Sequence, residues 1–272
     1  MAMIPLEDFY QDVVGKVQRG RQLTDDAIAS QSGVTVADWV ALKSGKFDEA
    51  TARKVAPVLG LGAAALVAHG QQAWYPQPVK LDGLAQFNTP FEDMTVNAYL
   101  IWNPRTKNAC AFDTGATSGP ILKFAKEHGL TIRLILLTHT HGDHIADLER
   151  LREDTGAEVF ISELESVPGA EQFKEGRTWD DGDGLKMEAR STTGHSKGGT
   201  TYYITGLAQP VAVVGDSIFA SSMGGGAVSF VDALRNNQTK IMTLPANTII
   251  CPGHGPLTTV GEEKLHNPFF AK

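Results

Sequence analysis

Excess basic charge, a disulfide framework and a long apolar run are all missing from this chain. Lysine and arginine number 24 against 31 aspartates and glutamates, a formal net charge of −7. An acidic balance favours solubility and gives no electrostatic footprint for non-specific nucleic-acid binding. Cys110 and Cys251 are the only thiols. Two isolated cysteines make no disulfide framework, so the expected compartment is the reducing cytoplasm. The most apolar stretch, residues 55–68, is interrupted by Pro57, Gly60 and Gly62 and is too short to span a bilayer. The opening MAMIPLEDFYQDVVGK carries acids where a secretory leader would be basic. No low-complexity tract occurs. With 42% apolar and 20% charged residues over 272 positions, a packed globular core is expected, with neither membrane nor nucleic acid as partner.

Two textures are present. Residues 1–75 read as all-α. Leu6, Phe9, Val13 and Val17 recur at helical spacing. Thr24 can cap a helix over Asp25–Gln31, which Ser32-Gly33 breaks. A second helix can run from Thr35 through Trp39 and Leu42 to a stop at Gly45, and a third from Asp48 to Leu59. This spacing resembles the helix-turn-helix module of phage-repressor-like regulators. The second helix would be the reading helix, yet it offers Val36, Ala37, Asp38 and Ala41 and no arginine. Residues 1–75 hold seven lysines and arginines against eight acids, a net charge of −1 that lacks the footprint phosphate binding needs. A structural, oligomerising or lid role is expected in place of DNA binding.

Residues 71–80 (QQAWYPQPVK) read as a linker. Within it, Trp74-Tyr75 would anchor the helical module on the rest of the chain or pack between subunits. Over residues 76–272 short apolar runs alternate with helical patterns. Strands are expected at 98–102, 109–112, 132–137, 159–162, 200–205, 211–214 and 248–251, and helices at 118–128, 144–155, 230–244 and 261–266. Such interleaving indicates an α/β or layered α+β fold.

What the chain does have is THTHGDH, residues 138–144, directly after the apolar run Leu134–Leu137. His139 and His141 are two apart and project to one side of an extended segment. Gly142 permits a turn, and His144 opens a helix striped by Ile145, Leu148 and Leu151. Chance placement of H-x-H-x-D-H in this composition is on the order of one in two thousand. Burying three imidazoles and a carboxylate together without a counter-ion would also be costly. A metal site explains both facts. Three more donors stand at strand ends among small residues: His195 in TTGHSKGG, Asp216 in VAVVGDSIF and His254 in IICPGHGP. Loops at strand ends are where a sheet scaffold gathers active-site groups. His69, His128 and His266 fall outside these motifs and are not expected to be ligands. Lys197 and Lys264 read as solvated. Gly224-Gly225-Gly226 reads as a mobile loop beside the site or a plain surface turn.

H-x-H-x-D-H, then G-H, G-D-S and P-G-H-G in that order, resemble the metallo-β-lactamase superfamily over about residues 80–272. The resemblance implies an α+β fold, a four-layer αβ/βα sandwich with metals at one edge of two facing sheets. Here a small all-α module precedes it. It implies one metal on His139, His141 and His195 and a second on Asp143, His144 and His254, with Asp216 bridging. Asp113, in AFDTGA, matches a family aspartate that stands behind the ligands.

Two divalent cations are therefore expected, zinc first, with iron and manganese also suited to this donor set. Such a pair lowers the pKa of a bridging water toward neutrality, and Asp143 is placed to orient the hydroxide as well as bind metal. The expected reaction is hydrolysis of a small activated acyl compound. CPGHGPLTTVGEEKLHNPFF resembles the end of glyoxalase II-like hydrolases, which cleave thioesters of the S-lactoylglutathione type. The chain stops six residues after His266, so only the short form of that family is expected. Gly199 stands where many relatives have a second histidine. A single-iron persulfide dioxygenase and a lactonase are alternatives on the same scaffold. A metal-sensing transcription regulator is the non-enzyme alternative, against which the neutral reading helix and the full ligand set speak. The substrate contacts and the oligomeric state, a homo-oligomer included, stay open.

Overall fold

The computed structural model describes residues 3–271. Five helices come first: α1 (Tyr10–Gly20), α2 (Asp25–Ser32), α3 (Val36–Lys43), α4 (Glu49–Leu59) and α5 (Ala63–Gly70). The expected caps are in place. The Thr24 hydroxyl accepts from Ala27 N at 3.1 Å and Thr35 from Asp38 N at 3.0 Å. Gly33 and Gly60 take left-handed conformations at the ends of α2 and α4. The first helix starts later than the Leu6 and Phe9 periodicity predicts. Phe9 is extended (φ −91°) and donates its N–H to Asp12 Oδ2 at 2.9 Å, so the chain enters the helix at Tyr10. Residues 3–9 instead run as a non-helical strap, and the Phe9 ring is exposed.

Two six-stranded sheets come next. The first has the order β1 (Leu84–Phe91), β2 (Met94–Trp102), β3 (Asn108–Phe112), β4 (Thr131–Leu136), β5 (Glu158–Ser162), β6 (Glu171–Phe173). Its β1–β3 part is antiparallel and its β3–β6 part parallel. Three helices lie within this half: α6 (Gly119–His128), α7 (Gly142–Ile145) and α8 (Leu148–Thr155). The predicted helix over 144–155 is thus two, interrupted at Ala146-Asp147, because the Asp147 carboxylate turns back to accept from Ser118 N and Oγ, both at 2.7 Å.

The second sheet contains β7 (Thr178–Asp180), β8 (Lys186–Ser191), β9 (Thr200–Thr205), β10 (Val211–Gly215), β11 (Ile249–Pro252) and β12 (Thr258–Thr259). It runs in the order β12-β11-β10-β9-β8-β7, antiparallel except for β10–β11. Helices α9 (Phe230–Asn236) and α10 (Val260–His266) complete it, with a π-helical turn over Asn237–Ile241 extending α9.

Alternation of side chains sorts the apolar residues into layers. Tyr99, Ile101, Phe112 and Leu136 of the first sheet face Met187, Tyr202, Ile204 and Val213 of the second. The opposite face of the first sheet (Leu100, Ala111, Ile135) packs on Ile121 of α6 and Leu151 of α8. The opposite face of the second (Ala212, Val214, Ile250) packs on Ile241 and Val260. The result is the helix–sheet–sheet–helix sandwich. The helical region's core (Val13, Ile28, Trp39, Val55, Leu66) is continuous with Met223, Phe230 and Phe269. Trp74 stacks on His266 with ring centroids 4.7 Å apart, and Tyr75 donates to Ile4 O at 2.7 Å. Of the two roles expected for that pair, the anchor within one chain is the one formed.

Candidate metal centre

All the singled-out donors lie at one edge of the sandwich. Asp113 follows β3, His139–His144 follow β4, His195 follows β8, Asp216 follows β10 and His254 follows β11. The two sheets are tied together beside them. Tyr202 Oη donates to Leu137 O at 2.7 Å, and Tyr99 Oη to Pro252 O at 2.6 Å. The fully buried Asn97 amide donates to Pro252 O at 2.9 Å and Gly255 O at 2.8 Å, holding the turn that carries His254.

The donors form two groups, His139, His141, His195 and Asp216 in one and Asp143, His144 and His254 in the other, with ligand atoms in each within 4.8 Å of one another. His141 Nδ1 is 3.0 Å from both His139 Nε2 and His195 Nε2. Asp143 Oδ2 is 3.4 Å from His144 Nε2 and 3.3 Å from His254 Nε2. Asp216 stands between the groups. Its Oδ2 is 3.3 Å from His195 Nε2 and 3.5 Å from His254 Nε2, and its Oδ1 is 3.2 Å from His144 Nε2.

Each ring except His141 is fixed through its second nitrogen. His139 Nδ1 is 3.0 Å from Thr138 Oγ1, His144 Nδ1 2.8 Å from Asp113 Oδ2, His195 Nδ1 3.0 Å from Gly225 O and His254 Nδ1 2.7 Å from Thr95 O. Such partners set the tautomer and aim the remaining lone pair inward. Asp113 serves two of them. It accepts from Thr138 N and Oγ1, both at 2.7 Å, as well as from His144. To do so it adopts a left-handed φ of 55°, which aspartate tolerates better than most residues.

The arrangement fits a pair of cations on the chain's own evidence. His144 Nε2 and Asp216 Oδ1 are buried and have no hydrogen-bond partner. Buried polar atoms are almost always satisfied, so two orphans facing one point mark a site for an ion. Three imidazole nitrogens converge at 3.0 Å spacing, close to the about 3.3 Å expected for nitrogens on one tetrahedral ion. A Cβ on Gly253 would lie 2.0 Å from Asp216 Oδ1 and 2.6 Å from His144 Cε1, so only glycine lets the backbone pass there.

The protonation pattern agrees. Burial opposes charge on His144, but the Asp216 and Asp113 carboxylates overcome it and push that imidazole up to about 10. Burial likewise opposes charge on His254, and contacts with Asp143 and Asp216 raise it to about 11. Burial acts upward on Asp216, yet the imidazoles of His144 and His254 hold it well below the usual carboxylate range. Without cations, protons on His144 and His254 balance the carboxylates. His139 and His195 are pushed down, burial being the main cause.

Two more histidines stand outside the donor groups. His69 is buried, with Nδ1 2.6 Å from Ser221 Oγ, and His128 stacks on Phe124 at 3.8 Å. Lys197 and Lys264 are exposed. The glycine run is a packed support: a Cβ on Gly224 would lie 1.8 Å from Asp216 O, and one on Gly226 2.3 Å from Phe230 Cα. Gly225 alone leaves room for a side chain. Sequence pattern passes over Asn97, Thr138 and Glu165. The last accepts from Gly198 N at 2.9 Å and from Thr140 Oγ1, linking the His139–His141 and His195 loops. A lone asparagine at the head of the apolar run Ala98–Trp102 was the one available signal.

Residues 92–254 match the model of the metallo-beta-lactamase superfamily, and the chain belongs to that superfamily of metal-dependent hydrolases. Among its relatives is a probable metallo-hydrolase of Bacillus subtilis, 30% identical over 208 residues that cover 66% of this chain and 94% of the relative. Another is the hydroxyacylglutathione hydrolase GloC of Haemophilus influenzae, 29% identical over 200 residues, 64% of this chain and 92% of the relative. The crystal structure of TTHA1623 in a di-iron-bound form superposes with a TM-score of 0.57 at 26% identity, covering 67% of this chain and 99% of that one. Fold and donor set together imply a divalent metal pair.

Proposed function

We propose that this protein hydrolyses a thioester of the S-lactoylglutathione type at a two-metal centre. The observation that carries the reading is the convergence of five imidazoles and two carboxylates on two adjoining points, with Asp216 reaching both. In this reading His139, His141 and His195 hold one cation, Asp143, His144 and His254 the other, and Asp216 bridges. When bound, the pair supplies a water acidic near neutral pH and a Lewis acid for the acyl oxygen.

The chain's own groups do the rest. Asp143, half-buried at the mouth, orients the attacking water through its carboxylate. Asp113 is a positioning residue. Through Thr138 and directly, it keeps His139 and His144 aimed inward. The carbonyl oxygens of Gly225 and Thr95 do the same for His195 and His254. Imidazole and carboxylate donors without thiolate suit zinc, and suit iron or manganese as well. The substrate class is supported by the named activity of the Haemophilus relative. Two free, buried cysteines suit work in a reducing cytoplasm. The outer face of α3 presents Val36 and Val40, which suits a module that does not read DNA.

The test is thiol release from S-lactoylglutathione by the metal-loaded protein, run beside a lactone and glutathione persulfide. Rapid thiol release with little turnover of the other two is expected. Turnover of the lactone alone, or oxygen uptake with the persulfide, would replace the thioester reading.

A further inference from the structure

The strap over residues 3–9 lies outside the segment that matches the superfamily, and it is fixed at both ends against the catalytic sheets. Tyr75 Oη donates to Ile4 O at 2.7 Å. At the other end the Ser222 hydroxyl donates to Asp8 Oδ2 at 2.5 Å, while Lys16 pairs with Asp8 and donates to Met223 O at 2.8 Å. Between these anchors the strap passes over Gly255, the residue after His254. A Cβ built on Gly255 would lie 3.4 Å from Glu7 N and 3.7 Å from Glu7 Cβ, ordinary contact distances. Glu7 is thereby held at the edge of the metal centre, half-buried.

Its carboxylate has a particular electrostatic setting. The charged groups acting on it are His254, Asp8, Asp216 and Lys16, and no hydrogen bond to another described residue engages it. Lys16 is committed to Asp8. The strap therefore brings one unbalanced negative charge to the His254 side of the centre. His254 feels the same charge in return, and Glu7 is among the groups that raise it. In a partly desolvated cleft such a charge is screened far less than on an open surface.

We infer that Glu7 is a specificity-determining residue, which favours a cationic group, and penalises an anionic one, on the part of the bound molecule that lies beside His254. The consequence for substrates rests on the reading of the site as a thioesterase centre. On that reading, the preferred thiol carrier presents an ammonium or neutral end to the strap. A carrier such as glutathione would turn its amino end toward Glu7, and its carboxylates away.

The experiment needs no turnover. Thiocholine and mercaptopropanesulfonate carry fixed charges of opposite sign on short thiols. Their affinities for the metal-loaded protein are measured by calorimetric titration, in wild type, Glu7→Gln and Glu7→Lys, with metal content and Tm checked in each. The thiocholine-to-sulfonate affinity ratio is expected to fall roughly tenfold in Glu7→Gln and further in Glu7→Lys. A ratio unchanged across the three proteins at equal metal content overturns the inference, as does a wild type that binds neither thiol. A shifted ratio in a protein that cleaves no thioester would retire the proposed reaction and leave the role of Glu7 standing.

Discussion

Asp143 and Asp113 are both carboxylates beside His144, yet their surroundings give them different work. Asp113 is buried, saturated by Thr138 and His144, and turned away from the open side. Asp143 is half-buried, with Oδ2 near His144 and His254. Burial acts to raise it, but the His254 and His144 imidazoles win and hold it below the ordinary aspartate value, so it is a carboxylate at neutral pH. Asp143→Asn is expected to lower kcat by about a hundredfold or more, the usual scale for a positioned base, while Tm changes little. Steady-state kinetics beside a melting curve check this, and an unaffected kcat would remove Asp143 from the reaction. At this scale the sequence was informative wherever donors stood at strand ends in motif spacing, because there a local pattern encodes a local geometry. It was silent on Asn97 and Glu7. Both act across contacts far apart in the chain, on Gly255 and its neighbours.

Among the elements, α10 shows how the chain seats its helical region. Glu263, fully buried in this helix, accepts from Thr258 Oγ1 at 2.7 Å, Asn267 Nδ2 at 2.7 Å and Ser221 N at 3.0 Å. Ser221 Oγ then meets His69 at the end of α5. Burial pushes the Glu263 carboxyl from 4.5 up to about 7 against those three donors. A carboxyl raised on folding binds its proton more tightly in the native state. Its contribution is thus full below about pH 4.5 and lost as pH rises through about 7. Relative to Glu263→Gln, which cannot ionise, the wild type should lose up to about 3 kcal/mol across that window. Paired melting curves from about pH 5 to about pH 8 test it, and a wild-type-minus-variant gap that widens with pH would contradict it. The apolar runs marked most strands, but β1, β6, β7, β8 and β12 passed unseen. Strand β8 reads KMEARS, and β1 contains Asn88-Thr89-Pro90, so neither has an apolar run to detect. Their pairing to β9 and β2 is set by tertiary contact.

For the molecule as a whole, the helical region is more than an appended module. Its apolar core runs on into Met223, Phe230 and Phe269, and its strap crosses beside His254. Baring those three side chains costs on the order of 5 kcal/mol. A chain beginning at residue 76 is therefore expected to aggregate, or to melt far lower than the full chain; equal solubility and Tm would show the region to be dispensable. The helix-turn-helix spacing was legible, as was the sandwich. The union of the two was not, because complementary surfaces leave no periodic mark in either segment. Within the described residues no helix is long and apolar enough to cross a membrane. The proposed chemistry stands on two cations acting together. Thiol release from S-lactoylglutathione, monitored while metal is added back to stripped protein, tests this most directly. Activity is predicted to rise until about two equivalents per chain are bound. Saturation at a single equivalent, with that ion confirmed by elemental analysis, would contradict it.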